Sequence, residues 1–137
     1  MRHAAAASLL SRWMRAALSA ATDDRSSYKA WAYLGLGDID VARGNLPDAL
    51  KSYRDGLAIR DRLAKADPGN AGWQRDLSVS YAKLGVAFRK AGRNTDALSE
   101  LRDGQAIMAR MTRLSPDNAQ WKQDLVWFND QITQLTK

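Results

Sequence analysis

Hydrophobic positions along this chain recur at helical spacing, and turn residues break them at regular intervals. The clearest stripe is the last one. Trp121, Leu125, Phe128, Ile132 and Leu135 follow a 4-3-4-3 rhythm, which lines up one face of an α-helix. The opposite side, Lys122, Gln123, Asn129, Asp130, Thr133 and Gln134, is polar. A broader apolar surface runs through Trp31, Tyr33, Leu34, Leu36, Ile39 and Val41 and stops at Arg43-Gly44-Asn45. Gly44 and Gly92 stand where the residue after a helix takes a positive φ, which glycine adopts without a Cβ clash. Asn45 is expected to cap the next helix, with Pro47 in its first turn, and Asn94 or Thr95 to do the same later. Pro68 and Pro116 predict helix ends near Ala66 and Leu114, because the residue before a proline is pushed out of the helical region. Asn70 and Asn118 then cap the following helices. Trp73 and Leu77 fall on one face of such a helix. Asp76 is expected early in it, close to the positive end of the helix dipole.

The same pattern is written twice. "DPGNAGWQRDL" at 67–77 returns as "SPDNAQWKQDL" at 115–125, 48 residues later. Over the pairs from Tyr33/Tyr81 to Leu77/Leu125, 19 of 45 residues are identical, where average residue usage gives roughly three. A fixed period of this size predicts stacked supersecondary units. Each unit holds two helices and a turn. Residues 4–20 fall in the slot of a second helix, and 119–136 in that of a first helix. The expected architecture is therefore all-α: a stack of antiparallel helical hairpins with about six helices. Residues 1–25 form an N-terminal packing half-repeat. Residues 26–137 hold repeat 1 (26–69), repeat 2 (70–117) and a C-terminal capping helix (118–137), whose polar side suits the end of a stack.

Composition narrows the chemistry. The 137 residues include no cysteine, which excludes disulfides and cysteine-ligated metals. His3 is the single histidine, so no Cys/His pair, Ser/His/Asp set or histidine metal cluster can be built. Gly35-Leu36-Gly37 lies inside a helix pattern and is not followed by Lys-Ser/Thr, so it is not read as a phosphate loop. The chain is read as neither an enzyme nor a cofactor or metal carrier. Its net charge of +6 attracts anionic surfaces weakly and is screened by salt. Arg89, Lys90 and Arg93 form the densest basic run, but without stacking aromatics they make a poor nucleic-acid footprint. Nucleic acid and anionic membrane are thus the least favoured partners. No apolar run reaches the roughly 18 residues of a membrane helix, and Arg12 and Arg15 break the N-terminal apolar stretch. A cytoplasmic location is expected.

The paired helices resemble the tetratricopeptide repeat family, whose pattern is Trp-x-x-Leu-Gly-x-x-Tyr, then Ala-x-x-x-Phe, then Pro. Tyr33, Leu36, Gly37 and Asp40, then Ala49 and Tyr53, occupy these positions in the first repeat. Tyr81, Leu84, Gly85 and Phe88, then Ala97 and Leu101, do so in the second. Gly56 and Gly104 fall at a further small-residue position, where close helix contact is expected to offset the roughly 1 kcal/mol cost of a mid-helix glycine. The period departs from the family. It is 48 residues rather than about 34, so each helix gains about two turns, roughly 10 Å. In this respect the chain is similar to long-helix repeats of bacterial multi-repeat proteins, often attached to signalling or effector domains.

The resemblance implies a right-handed α-solenoid stack and a protein–protein interaction scaffold whose concave groove, lined by the first helix of each repeat, docks a partner peptide or helix. Trp31, Val79 and Trp127 are equivalent by register and form the expected inner row. Leu34, Ala82 and Asp130 form the next, and Asp38, Val86 and Gln134 the third. The candidate groove residues are Trp31, Leu34, Asp38, Val79, Lys83, Val86 and Trp127, since tryptophan supplies large contact area at low entropy cost. Family members that clamp a C-terminal carboxylate use Lys and Asn on this face. Of the corresponding Leu34, Asp38, Ala82 and Lys83, only Lys83 has a suitable charge, so that mode is disfavoured. Self-association into a homo-oligomer is the alternative, because two full repeats are near the lower limit for a stable stack.

Overall fold

A computed structural model describes residues 25–137. The N-terminal helix expected over 4–20, together with His3, lies outside them. The described chain is an all-α stack of antiparallel hairpins: α1 (described over 25–42), α2 (Leu46–Ala66), α3 (Ala71–Lys90), α4 (Asn94–Leu114) and α5 (Ala119–Leu135). Consecutive helices pack on one another.

The turns follow from local chemistry. Gly44 and Gly92 have φ of 75° and 76° and close the two intra-repeat turns. The oxygens of Asn70 and Asn118 accept from the backbone N–H of Trp73 and Trp121, both at 3.0 Å. Each satisfies a donor the helix start would otherwise leave open. Asn45 behaves differently from expectation. It occupies the cap position of α2 without a side-chain cap bond, and its Nδ2 donates to Asp48 at 2.8 Å. Its backbone, at ψ 73°, lies off the extended geometry of Asn70 and Asn118, at ψ 100° and 102°. Neither Asn94 nor Thr95 caps α4 either. Arg93 holds that position and donates from Nε to Asp96 at 2.8 Å. The two repeats thus share one device: the residue at the cap position holds an aspartate in the first turn, where it meets the helix dipole. Asp76 does not do so, because the first turn of α3 carries no acidic residue.

Glycine sets the helix spacing. A Cβ on Gly85 would stand 2.6 Å from Leu101 Cγ, and one on Gly56 would stand 2.7 Å from Leu34 Cδ1. Gly37 meets the Tyr53 ring in the same way, and Gly104 the Phe128 ring. Two core clusters result. One joins Leu34 of α1, Leu50 and Tyr53 of α2, Leu84 and Phe88 of α3 and Ala97 of α4. The other joins Ala64, Leu77, Leu101, Met108, Met111 and Phe128 of α2 to α5. Each large apolar side chain buried there stabilises the fold by roughly 1.5–3 kcal/mol. Trp73 and Trp121 are half-buried against the second cluster, so the recurrent Trp…Asp-Leu segment is a packing joint between hairpins.

Candidate docking groove

Helices α1, α3 and α5 lie side by side along one face. Lys83 of α3 donates to both oxygens of Asp38 on α1, at 3.0 and 3.1 Å. Arg75 of α3 pairs with Asp124 of α5 at 2.9 Å, and Arg89 donates to Gln131 and Gln134 of α5 at 2.8 and 3.3 Å. Between these cross-ties lies an open hollow of about 290 Å³. Asp38 and Val41 of α1, Val79, Ala82, Lys83, Val86, Ala87 and Lys90 of α3, and Trp127 of α5 line it, with Tyr53 of α2. Val79, Lys83, Val86 and Lys90 follow a 4-3-4 spacing, so α3 presents one stripe of alternating valine and lysine.

Asp38 is held from two sides. Besides Lys83, the Tyr53 hydroxyl donates to it at 2.5 Å. Burial, and then the Asp38 carboxylate that accepts its proton, push the Tyr53 phenol well above the ordinary tyrosine range. Both effects favour the neutral phenol. Trp127 stands edge-on to Phe128, with ring centroids 5.1 Å apart, and remains 36% exposed. A smaller adjoining hollow of about 150 Å³ runs beneath it, among Ser78, Val79, Ala82, Asp124 and Phe128.

Of the seven residues singled out in the sequence, the hollow brings together Asp38, Val79, Lys83, Val86 and Trp127. Leu34 is not a groove residue. It is 6% exposed, because Gly56 lets α2 come close enough to cover it. The row of Trp31, Val79 and Trp127 also divides. Trp31 is 70% exposed in a separate hollow of about 370 Å³ with Ser27, Tyr28, Arg60 and Asp76. Val41 and Tyr53 line the groove without a sequence signal for it, and Lys90 stands there although it belongs to the basic run Arg89-Lys90. The 4-3-4 spacing from Val79 was the signal for Lys90. The basic patch itself is largely engaged within the fold. Arg89 is tied to α5, while Arg93 pairs with Asp96 at 2.8 Å and stacks over Phe88 at 4.7 Å.

A buried guanidinium lies beside the second hollow. Arg60 is 8% exposed and donates from Nη1 to the Asp76 carbonyl at 3.0 Å and to Ser80 Oγ at 3.2 Å. Burial lowers its pKa from the usual arginine range, while Asp76 acts in the opposite direction. Met108 and Phe128 occupy the equivalent positions at the next junction and are buried there. Among the described residues, no three His, Cys, Asp or Glu side chains group to hold a metal ion. No described helix is long and apolar enough to cross a membrane.

No family model matches the chain, and no curated protein does. Among solved structures, the chain is similar to the yeast histone chaperone Hif1, described as a scaffold protein recruiting protein complexes to core histones. The match has a TM-score of 0.67 at 17% identity and covers 84% of this chain. This chain spans 45% of the chaperone's length, and the likeness is one of fold.

Proposed function

We propose that this chain is a tetratricopeptide-type, non-catalytic scaffold that docks an amphipathic peptide or helix along the α3 stripe. The observation that carries this reading is the open hollow between α1, α3 and α5, walled by Val79, Val86 and a half-exposed Trp127. A preformed apolar trough with a few polar groups at its rim is the usual form of a peptide site. The aromatic wall supplies the kind of anchor that dominates interface energetics. Lys83 is kept in place by Asp38, which in turn is held by Tyr53. A partner would therefore meet a rim ordered in advance, which lowers the entropy cost of binding. The same fold belongs to a recruiting scaffold in the yeast chaperone, and that role is compatible with this reading.

The test is a selection from a displayed peptide library on the folded chain, followed by affinity measurements. Peptides that dock here bind Val86→Asp at least about tenfold more weakly, a loss of about 1.4 kcal/mol. They bind Lys51→Glu, on an exposed part of α2, as they bind the original chain. Selected peptides that bind Val86→Asp unchanged would remove the reading.

A further inference from the structure

The two ends of the stack differ. Tyr81 and Gly85 of α3 meet α4, but their equivalents on α5 are the exposed polar residues Asn129 and Thr133. Those two positions carry polar side chains. At the other end, Leu84 and Ala87 of α3 are each 1% exposed within the cluster shared with α2. Their equivalents on α1, Leu36 and Ile39, are 53% and 50% exposed. With Tyr28 at 76%, they leave an apolar side of α1 open to water.

We propose that residues 4–20 of this same chain cover the open side of α1 as α2 covers α3. The register supports this occupant. Residues 4–20 fall 48 positions before 52–68, and the four residues that join α2 to α3, 67–70, have 19–22 as their register counterparts. On α2, the side that meets α3 is formed by Leu57, Arg60 and Ala64. Leu57 packs on both core clusters, Arg60 bonds to α3, and the Ala64 carbonyl accepts from Gln74 at 3.1 Å. Forty-eight residues earlier stand Leu9, Arg12 and Ala16, the same three residue types in the same spacing. The segment therefore repeats the surface needed against α1.

A second copy of the chain is the competing occupant, and a cysteine pair separates the two. The chain has no natural cysteine, so Leu9→Cys with Leu36→Cys reports one contact cleanly. Mild oxidation is expected to give a monomeric chain that has lost both thiol hydrogens to an internal disulfide, as read by non-reducing electrophoresis and intact mass. A disulfide-linked dimer overturns the proposal in favour of a second copy. Free thiols overturn it when the register-equivalent pair, Leu57→Cys with Leu84→Cys, closes under the same conditions. Amide exchange on the unaltered chain decides independently of any variant. Residues 8–16 are expected to exchange at least about tenfold more slowly than an unstructured peptide, and exchange at the unstructured rate overturns the proposal.

Discussion

Tyr53 of α2 donates its hydroxyl proton to Asp38 of α1 at 2.5 Å, so the anchor of the groove rim is built from inside the fold. Lys83 meets the same carboxylate from α3. The buried donor organises the surface pair. An exposed ion pair alone stabilises by only about 0–1 kcal/mol, whereas a hydrogen bond to a charged group contributes roughly 1.5–3 kcal/mol. Tyr53→Phe is expected to lower stability by roughly 1.5–3 kcal/mol in urea denaturation, with the helical circular dichroism unchanged. A loss below about 0.5 kcal/mol, within the scatter of surface substitutions, would contradict this.

The same phenol predicts an alkaline weakness. Its folded pKa is raised above the unfolded value of about 10. The stability it contributes is fully present below pH 10 and is lost as pH rises toward the folded pKa, at about 1.4 kcal/mol per pH unit. The original chain should therefore lose stability faster above pH 10 than Tyr53→Phe does. Parallel stability curves for the two chains would contradict the assignment.

Glycines at contact and open positions should respond with opposite signs. A Cβ at Gly85 would press on Leu101 at 2.6 Å, while one at Gly35 meets nothing within 4 Å. Gly85→Ala is expected to destabilise by roughly 1–3 kcal/mol through overpacking. Gly35→Ala, on an exposed part of α1, is expected to stabilise by roughly 0.5–1 kcal/mol. Thermal melts of the two variants check this, and shifts in the same direction would refute it.

Arg60 offers a comparison within one molecule. The next junction uses Met108 where this one uses a buried guanidinium. That junction also has Phe128 where this one has Ser80, and replacing a buried charge together with its polar partner by apolar groups is often neutral or stabilising. Arg60→Met alone leaves the buried Ser80 hydroxyl without its donor and is expected to cost roughly 1–3 kcal/mol. Arg60→Ala, which leaves a void as well, should fall below Arg60→Met by roughly 2 kcal/mol or more. Equal midpoints for the two variants would contradict this account.

The caps should separate as their geometry does. Asn70→Ala and Asn118→Ala each remove a bond to a helix N–H and are expected to cost about 1 kcal/mol apiece. Asn45→Ala removes only a contact to exposed Asp48 and should cost at most about 0.5 kcal/mol. Urea midpoints give the order, and an Asn45→Ala loss as large as the other two would break it.

Much of the fold was legible because its signals are local. The positive φ of Gly44 and Gly92, the Asn70 and Asn118 caps and the helix ends before Pro68 and Pro116 depend on a few neighbouring residues. Gly56 and Gly104 were legible through their recurrence at equal spacing. What failed depended on three-dimensional context. Leu34 and Ala82 share a register position, yet the longer side chain turns into the core and the shorter one lines the hollow. Trp31, Val79 and Trp127 are also equivalent in register, but Trp31 belongs to a different hollow. Asn45 misled because its residue type suits a cap while its backbone does not. The part Tyr53 plays in the groove gave no sequence signal, since a tyrosine at a core position reads as packing until its hydroxyl is seen to reach Asp38.

Docking along the α3 stripe is tested most directly by an NMR titration of the unaltered chain with a library-selected peptide. Shift changes are expected to centre on Val79, Lys83, Val86 and the indole of Trp127, with Lys51 and the rest of the exposed α2 surface silent. Changes centred away from the α1–α3–α5 hollow, on the outer side of α2 and α4, would contradict the proposed function.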